Sequence, residues 1–114
     1  MSAVYLITPV GTATISEDLK NRIKQEIPNS NDRFFLPQDN GCLVKFDGIG
    51  LELRDRLILT GSKFLKENFP EVVKERNLTD DIPSIPALIT TVVPGGYNGF
   101  ALSQLWEWLN LKLA

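Results

Sequence analysis

The hydrophobic pattern of the chain opens with a run that predicts a buried strand. The segment from Ala3 to Thr8 is almost entirely apolar, aromatic or β-branched, and Pro9 ends it. A run of this kind, without alternating polar residues, is typical of a strand that is covered on both faces. We therefore expect this segment to lie near the centre of a sheet.

The next pattern predicts an amphipathic helix. Apolar residues recur four positions apart, which places them on one face of a helix. They are Ile15, Leu19, Ile23 and Ile27. The polar residues between them, including Arg22, are expected on the solvent face. Thr14 and Glu17 have the spacing of a capping box at the helix start, and Pro28 ends the pattern.

Two strands are expected next, at residues 33–37 and 41–47, joined by the polar turn that Pro37–Asn40 provides. The following stretch, Ile49 to Leu59, fits both helical spacing and strand alternation. Its length and its RDR triplet favour a helix that starts near Gly50, with a strand as the alternative. Residues 62–77 then predict a short helix that stops before Pro70 and a second that starts there.

A long uncharged stretch runs from Ile82 to Trp106, in a chain of which 23% is charged. Prolines, glycines and polar side chains interrupt it, so it does not predict a membrane span. It predicts a strand at residues 87–93, a glycine-rich turn and the start of a C-terminal helix. Since this strand is as apolar as the first one, we expect both to be central in the sheet.

The order of these elements predicts a single α+β domain over residues 1–114. We expect a ferredoxin-like two-layer sandwich, β-α-β-β-α-β, with helices on one face and a C-terminal helix added. The length of 114 residues is sufficient for a core without disulfides or metals.

Charge and composition restrict the possible functions. The net charge of −2 is spread evenly along the chain, so charge gives no support for a nucleic-acid or membrane partner. The chain has no histidine, which excludes the commonest general base and all histidine metal sites. Cys42 is the only cysteine, so we expect no disulfide, a structural buried thiol and a reducing, cytoplasmic location. No cofactor is expected.

Two segments are candidates for ligand binding. Asp39 and Asp47 flank the third strand, and carboxylates from different loops can hold a divalent cation, although both also suit ordinary turns. The turn that links the last strand to the last helix could bind a phosphate or another small anion through backbone N–H groups. Its residues are Gly95, Gly96, Tyr97, Asn98 and Gly99.

The C-terminal helix carries apolar residues on two faces. The core face is expected to include Leu102, Leu105, Trp106, Leu109 and Leu113. Trp108 and Leu111 lie outside that stripe. Because apolar patches that include tryptophan often mark association sites, we expect these two residues at the contact of a homo-oligomer or with a protein partner. The alternative is that a loop from residues 60–82 of the same chain covers them.

Short motifs in the first half resemble the small ferredoxin-like proteins of CRISPR adaptation and their virulence-associated ribonuclease relatives. They are Tyr5–Thr8, Leu43–Lys45 and Glu52–Leu57. The resemblance implies a ferredoxin-like fold and, for catalytic members, a metal-binding aspartate in a Tyr-Asp pair after the first strand. Pro9 and Val10 stand at those positions here, so the resemblance does not carry the nuclease site over.

The sequence therefore favours a non-enzymatic binding or assembly protein that associates through its C-terminal helix. One alternative is a divalent-metal nuclease or nucleic-acid-binding protein that uses Asp39, Asp47 or Asp55. Another is a small-anion or nucleotide binder at residues 95–99.

Overall fold

The computed structural model describes residues 2–78, 81–93 and 103–113, and its four strands form one antiparallel sheet. The strands are β1 (Ser2–Pro9), β2 (Arg33–Phe35), β3 (Cys42–Asp47) and β4 (Ala87–Val92). They lie in the order β2-β3-β1-β4, so β1 and β3 are central and β2 and β4 are the edges. The prediction of an α+β protein with four strands is therefore confirmed.

The helices of the described chain agree with most of the expected ones. They are α1 (Glu17–Glu26), α2 (Gly50–Arg56), α3 (Ser62–Asn68), α4 (Pro70–Arg76) and α5 (Ser103–Leu113). The segment after residue 49 is the helix α2, so its interpretation as a strand is wrong. Pro70 is the first residue of α4, a position where its missing N–H costs no helical hydrogen bond. No helix among the described residues is long and apolar enough to cross a bilayer.

One face of the sheet packs against α1 and α2. The residues spaced four apart along α1 are all buried there, as the sequence predicts. They join residues of α2 and of the two central strands in one apolar cluster, which includes Ile15, Leu19, Ile23, Ile27, Tyr5, Ile7, Val44, Leu53 and Leu57. Burial of these side chains is the main stabilising contribution on this face.

The opposite face of the sheet packs against α5. Val4 of β1 and Leu43 of β3 are buried there together with Leu109. The expected fold has helices on one face and an added C-terminal helix, and α5 is that added helix, packed on the opposite face of the sheet. The physical reason lies in the central strands, which are apolar on both faces and need cover on both.

The start of α1 differs from the expected capping box. The N-cap is Ser16, whose Oγ accepts a hydrogen bond from the Leu19 N–H at 3.2 Å, and Thr14 lies outside the helix. Ile15 is buried, and its N–H donates to the carbonyl of Asp39 at 2.8 Å. This contact ties the residue before the cap to the β2–β3 turn, so the helix begins later than the Thr14–Glu17 spacing predicts.

Arg22 is buried, although the sequence places it on the solvent face of α1. Its guanidinium donates to the carbonyls of Leu57, Ile58 and Pro83 at 3.3, 2.9 and 2.9 Å. It also pairs with the carboxylate of Asp18 one turn earlier at 2.9 Å. Arg22 thus joins α1 to the end of α2 and to the segment that leads into β4.

The prediction that residues 87–93 form a central strand is wrong. Among the described strands, β4 pairs only with β1, which places it at an edge of the sheet. Its side chains alternate, with Ala87 and Ile89 against the α1–α2 face and Val92 against the α5 face, while Thr90 and Thr91 are exposed. The apolar run is therefore half-buried, so burial on both faces does not explain why it lacks charged residues.

A candidate protein-binding edge of the sheet

The outer edge of β4 is the most distinctive surface of the described chain. No described strand pairs with this edge, and the chain carries no charge from Ile82 to Trp106. Natural proteins usually protect an open edge with charged residues, prolines within the strand or bulges, because an open edge can pair with another chain. β4 is six residues long and has none of these within it.

The register of β4 on β1 determines which backbone groups point outward. The Val10 N–H donates to the carbonyl of Pro86 at 3.2 Å, so these two residues form a hydrogen-bonded pair. Thr8 and Leu88 lie opposite each other two positions further along the same register. Bonded and non-bonded pairs alternate along an antiparallel ladder. Residues 88, 90 and 92 therefore bond to β1, while 87, 89, 91 and 93 direct their N–H and C=O groups outward.

A shallow apolar cleft lies beside this edge, between β4 and α2. It has a volume of about 340 Å³, and its lining residues are Gly50, Leu51, Arg54, Leu59, Ala87 and Ile89. The start of α2 lies next to β4, since a Cβ added at Gly50 would be 3.7 Å from Ile89 Cγ2, an ordinary van der Waals contact.

Exposed apolar side chains surround the same edge. Leu88 is 58% exposed, Val93 51% and Leu51 54%. Together with the outward backbone groups, they form a surface that offers both hydrogen bonds and apolar contact. This combination suits an added β-strand from another chain.

The two aspartates of the metal hypothesis lie at opposite ends of β3. Asp39 is in the β2–β3 turn and Asp47 ends the strand, so at least the length of the strand, about 17 Å, separates them. One cation cannot bind both carboxylates across that distance. Asp55 is in α2, where its carboxylate binds the guanidinium of Arg54 at 3.0 Å.

The environment of Asp39 is that of an ion pair. Lys20 Nζ lies 3.0 Å from Asp39 Oδ2, and this hydrogen bond raises the pKa of Lys20. Among residues 2–78, 81–93 and 103–113, no group of three or more acidic or cysteine side chains could hold a metal ion. The nuclease alternative stays a prediction from the sequence.

The anion-binding hypothesis concerns Gly95, Gly96, Tyr97, Asn98 and Gly99, which lie outside the described residues. It stays a prediction from the sequence.

The two residues of the predicted helix interface have different environments. Trp108 is half-buried against the sheet, with its ring 6.2 Å from that of Phe34, and its Nε1 donates to the Asn31 carbonyl at 3.2 Å. The core face of α5 is therefore wider than the sequence indicates. Leu111 is 73% exposed, so it is available for a contact between molecules.

Cys42 is the first residue of the central strand β3 and is fully buried. Burial raises the pKa of its thiol to about 12. At pH 8 the thiol is therefore protonated, whereas the thiolate is the nucleophilic form. Cys42 is therefore placed as a structural residue of the core.

We expect iodoacetamide to leave Cys42 unmodified in the folded protein at pH 8 and to modify it fully in denaturant, as mass spectrometry can measure. An Asn21→Cys variant is the control, since Asn21 is exposed on α1 and should react at once. Because the folded thiol has the higher pKa, its contribution to stability is complete below pH 9 and is lost as the pH rises towards 12. Fast native labelling of Cys42 would contradict this assignment.

Sequence reasoning did not identify the β4 edge as a site. The signal that could have indicated it was the Thr90–Thr91 pair within an uncharged strand, because two hydroxyl residues are uncommon in a strand buried on both faces.

No protein-family model, curated protein or solved structure matches this chain.

Proposed function

We propose that this chain is a non-enzymatic assembly protein that associates with copies of itself. The observation that supports the proposal is the open, uncharged edge of β4 with the exposed side chains of Leu51, Leu88 and Val93 around it. Exposed apolar side chains along an unpaired sheet edge suit a contact between proteins. Burying the exposed half of each of these side chains contributes about 1 kcal/mol.

The charge distribution favours a second copy as the partner. Two identical surfaces meet without repulsion only if neither carries a concentration of one charge. The strand β4 carries no charged residue, and the whole chain has a net charge of only −2. Arg54, which lines the cleft beside the edge, is paired with Asp55 at 3.0 Å, so a symmetric contact along this edge brings no concentration of one charge together.

The C-terminal helix is the alternative contact within the same proposal. Leu111 provides an exposed apolar residue there, but the ring of Trp108 already packs on Phe34 within the chain. The β4 edge, which adds unpaired backbone groups to its apolar side chains, has the stronger support.

The finer description of the fold is also part of the proposal. β1 and β2 run in the same direction with β3 between them, and β3 and β4 run in the same direction with β1 between them. This split arrangement, together with the order of helices and strands, supports a ferredoxin-like fold. Cys42, a buried cysteine outside any disulfide, supports a reducing compartment such as the cytoplasm.

Sedimentation of the wild-type protein tests this function. We expect a mass above that of the 12.8 kDa monomer, which increases with concentration from low micromolar to about millimolar. A wild type that sediments as a monomer over that whole range would contradict the proposed self-association. The Leu111→Ser variant decides between the surfaces, because it should leave the mass unchanged unless α5 forms the contact.

A further inference from the structure

We infer that the self-association proposed above, on which this inference rests, is a two-fold pairing of β4 with β4 of a second copy. The two strands run antiparallel, the symmetry axis passes beside Thr90, and the two four-stranded sheets join into one continuous sheet. An isologous contact of this kind closes on itself and gives a dimer.

The backbone groups that point outward limit the register. Residues 87, 89, 91 and 93 must meet outward residues of the second copy, so the pairing can be centred at Ile89, at Thr90 or at Thr91. With the axis at Thr90, Ile89 pairs with Thr91 of the second copy and Ala87 pairs with Val93. Every outward residue from 87 to 93 then has a partner.

In each of the two alternative registers, some outward backbone groups lack a hydrogen-bond partner. With the axis at Ile89, Val93 would meet Ile85, whose N–H already donates to the Leu59 carbonyl at 2.9 Å. With the axis at Thr91, Ala87 has no partner within residues 87–93. Since unmade backbone hydrogen bonds in a contact are unfavourable, the Thr90 axis is preferred.

The side chains fit the same register on both faces of the joined sheet. On the α5 face, the exposed Leu88 stands opposite Val92 of the second copy, which α5 partly covers. On the α1–α2 face, the exposed Val93 stands opposite Ala87, a lining residue of the apolar cleft. Each exposed apolar residue thus meets a half-buried one, and the two Thr90 side chains meet at the axis.

The size of the contact predicts a dimer of modest affinity. A strand of six residues is about 20 Å long, and pairing it together with its flanking side chains reaches only the lower end of the range of stable interfaces, about 1,200 Å². We therefore expect dissociation in the micromolar range, with monomer and dimer both present in dilute solution.

Cysteine cross-linking tests the register directly. In a non-hydrogen-bonded antiparallel pair the Cα atoms are about 4.5 Å apart, which is within the range for a disulfide. A Thr90→Cys variant treated with diamide, which oxidises two thiols to one disulfide, is therefore expected to give a covalent dimer in high yield. Cys42 is buried and should not contribute.

The matched control is Thr91→Cys, which changes the adjacent and equally exposed threonine. In the inferred register the two Thr91 residues lie diagonally across the strand pair, with their Cα atoms about 9 Å apart, which is too far for a disulfide. A second variant, Thr90→Lys, places two like charges at the axis and should weaken dimerisation at least tenfold in sedimentation. Circular dichroism confirms that each variant is folded.

The outcomes separate this inference from the proposed function. Cross-linking of Thr90→Cys but not of Thr91→Cys, with weaker association of Thr90→Lys, supports the β4 pairing. A wild-type oligomer in which Thr91→Cys cross-links as well as Thr90→Cys, or in which Thr90→Lys changes nothing, overturns the pairing but leaves self-association standing. A monomeric wild type overturns both.

Discussion

Replacing Arg22 by leucine is expected to lower the free energy of unfolding by about 3–5 kcal/mol. The guanidinium donates to the carbonyls of Leu57, Ile58 and Pro83, and leucine offers no donor in its place. Leucine also cannot pair with Asp18. Urea denaturation monitored by tryptophan fluorescence or circular dichroism measures the change.

Two controls test whether the hydrogen bonds of Arg22 are the cause. Arg22→Lys keeps the charge but not the planar fork of donors, so it should recover only part of the loss. Arg56→Leu changes an exposed arginine of α2 and should cost less than about 1 kcal/mol. Equal losses in the Arg22 and Arg56 variants would show that the buried contacts contribute nothing.

Replacing Trp108 by alanine is expected to lower the free energy of unfolding by about 2 kcal/mol, below the range for fully buried tryptophans because the side chain is half-buried. The variant loses the contact with Phe34 and the hydrogen bond to the Asn31 carbonyl. Leu111→Ala is the matched control on the same helix, and its effect should stay below about 0.5 kcal/mol because Leu111 is exposed.

The concentration dependence of these losses separates a core residue from an interface residue. A contact within one chain stabilises the monomer, so the Trp108→Ala loss should be the same at every protein concentration. A contact between molecules stabilises by mass action, so its loss would grow as the concentration rises. Growth of the Trp108→Ala or Leu111→Ala effect with concentration would therefore favour the C-terminal helix as the association surface.

Local patterns predicted most elements because they depend on neighbouring residues. The four-residue spacing from Ile15 to Ile27 depends only on α1 and the residues that flank it, and all of these apolar residues are buried as expected. Pro70 likewise acts on its own segment, where it stops one helix and starts the next. The turn at Pro37–Asn40 forms the β2–β3 hairpin for the same reason.

The errors arose where distant parts of the chain decide the outcome. The acceptors of Arg22 at residues 57, 58 and 83 are far away along the chain, so no local pattern indicates that its guanidinium is buried. Trp108 is covered by Phe34 and residue 31 in the same way. The spacing of apolar residues along one helix cannot predict contacts with residues that are distant in the sequence.

The candidate site depends on sheet order, which local patterns do not contain. The uncharged character of Ile82–Trp106 was visible in the sequence, but an apolar run is compatible with both a central and an edge position. The sheet order shows that β4 pairs only with β1 among the described strands, so the uncharged segment lies at an edge of the sheet. The outward direction of residues 89 and 91 then follows from the register.

The long span between the two strands that pair at this edge has a consequence for synthesis. Val4 of β1 pairs with Val92 of β4. During synthesis these two residues can meet only after the whole segment between them has left the ribosome. Until then the nascent β1 has an unpaired side of its own. Contacts between residues so far apart also form slowly. Chaperone protection during translation would therefore matter most before residue 92 emerges, when the side of β1 that β4 later covers is still exposed.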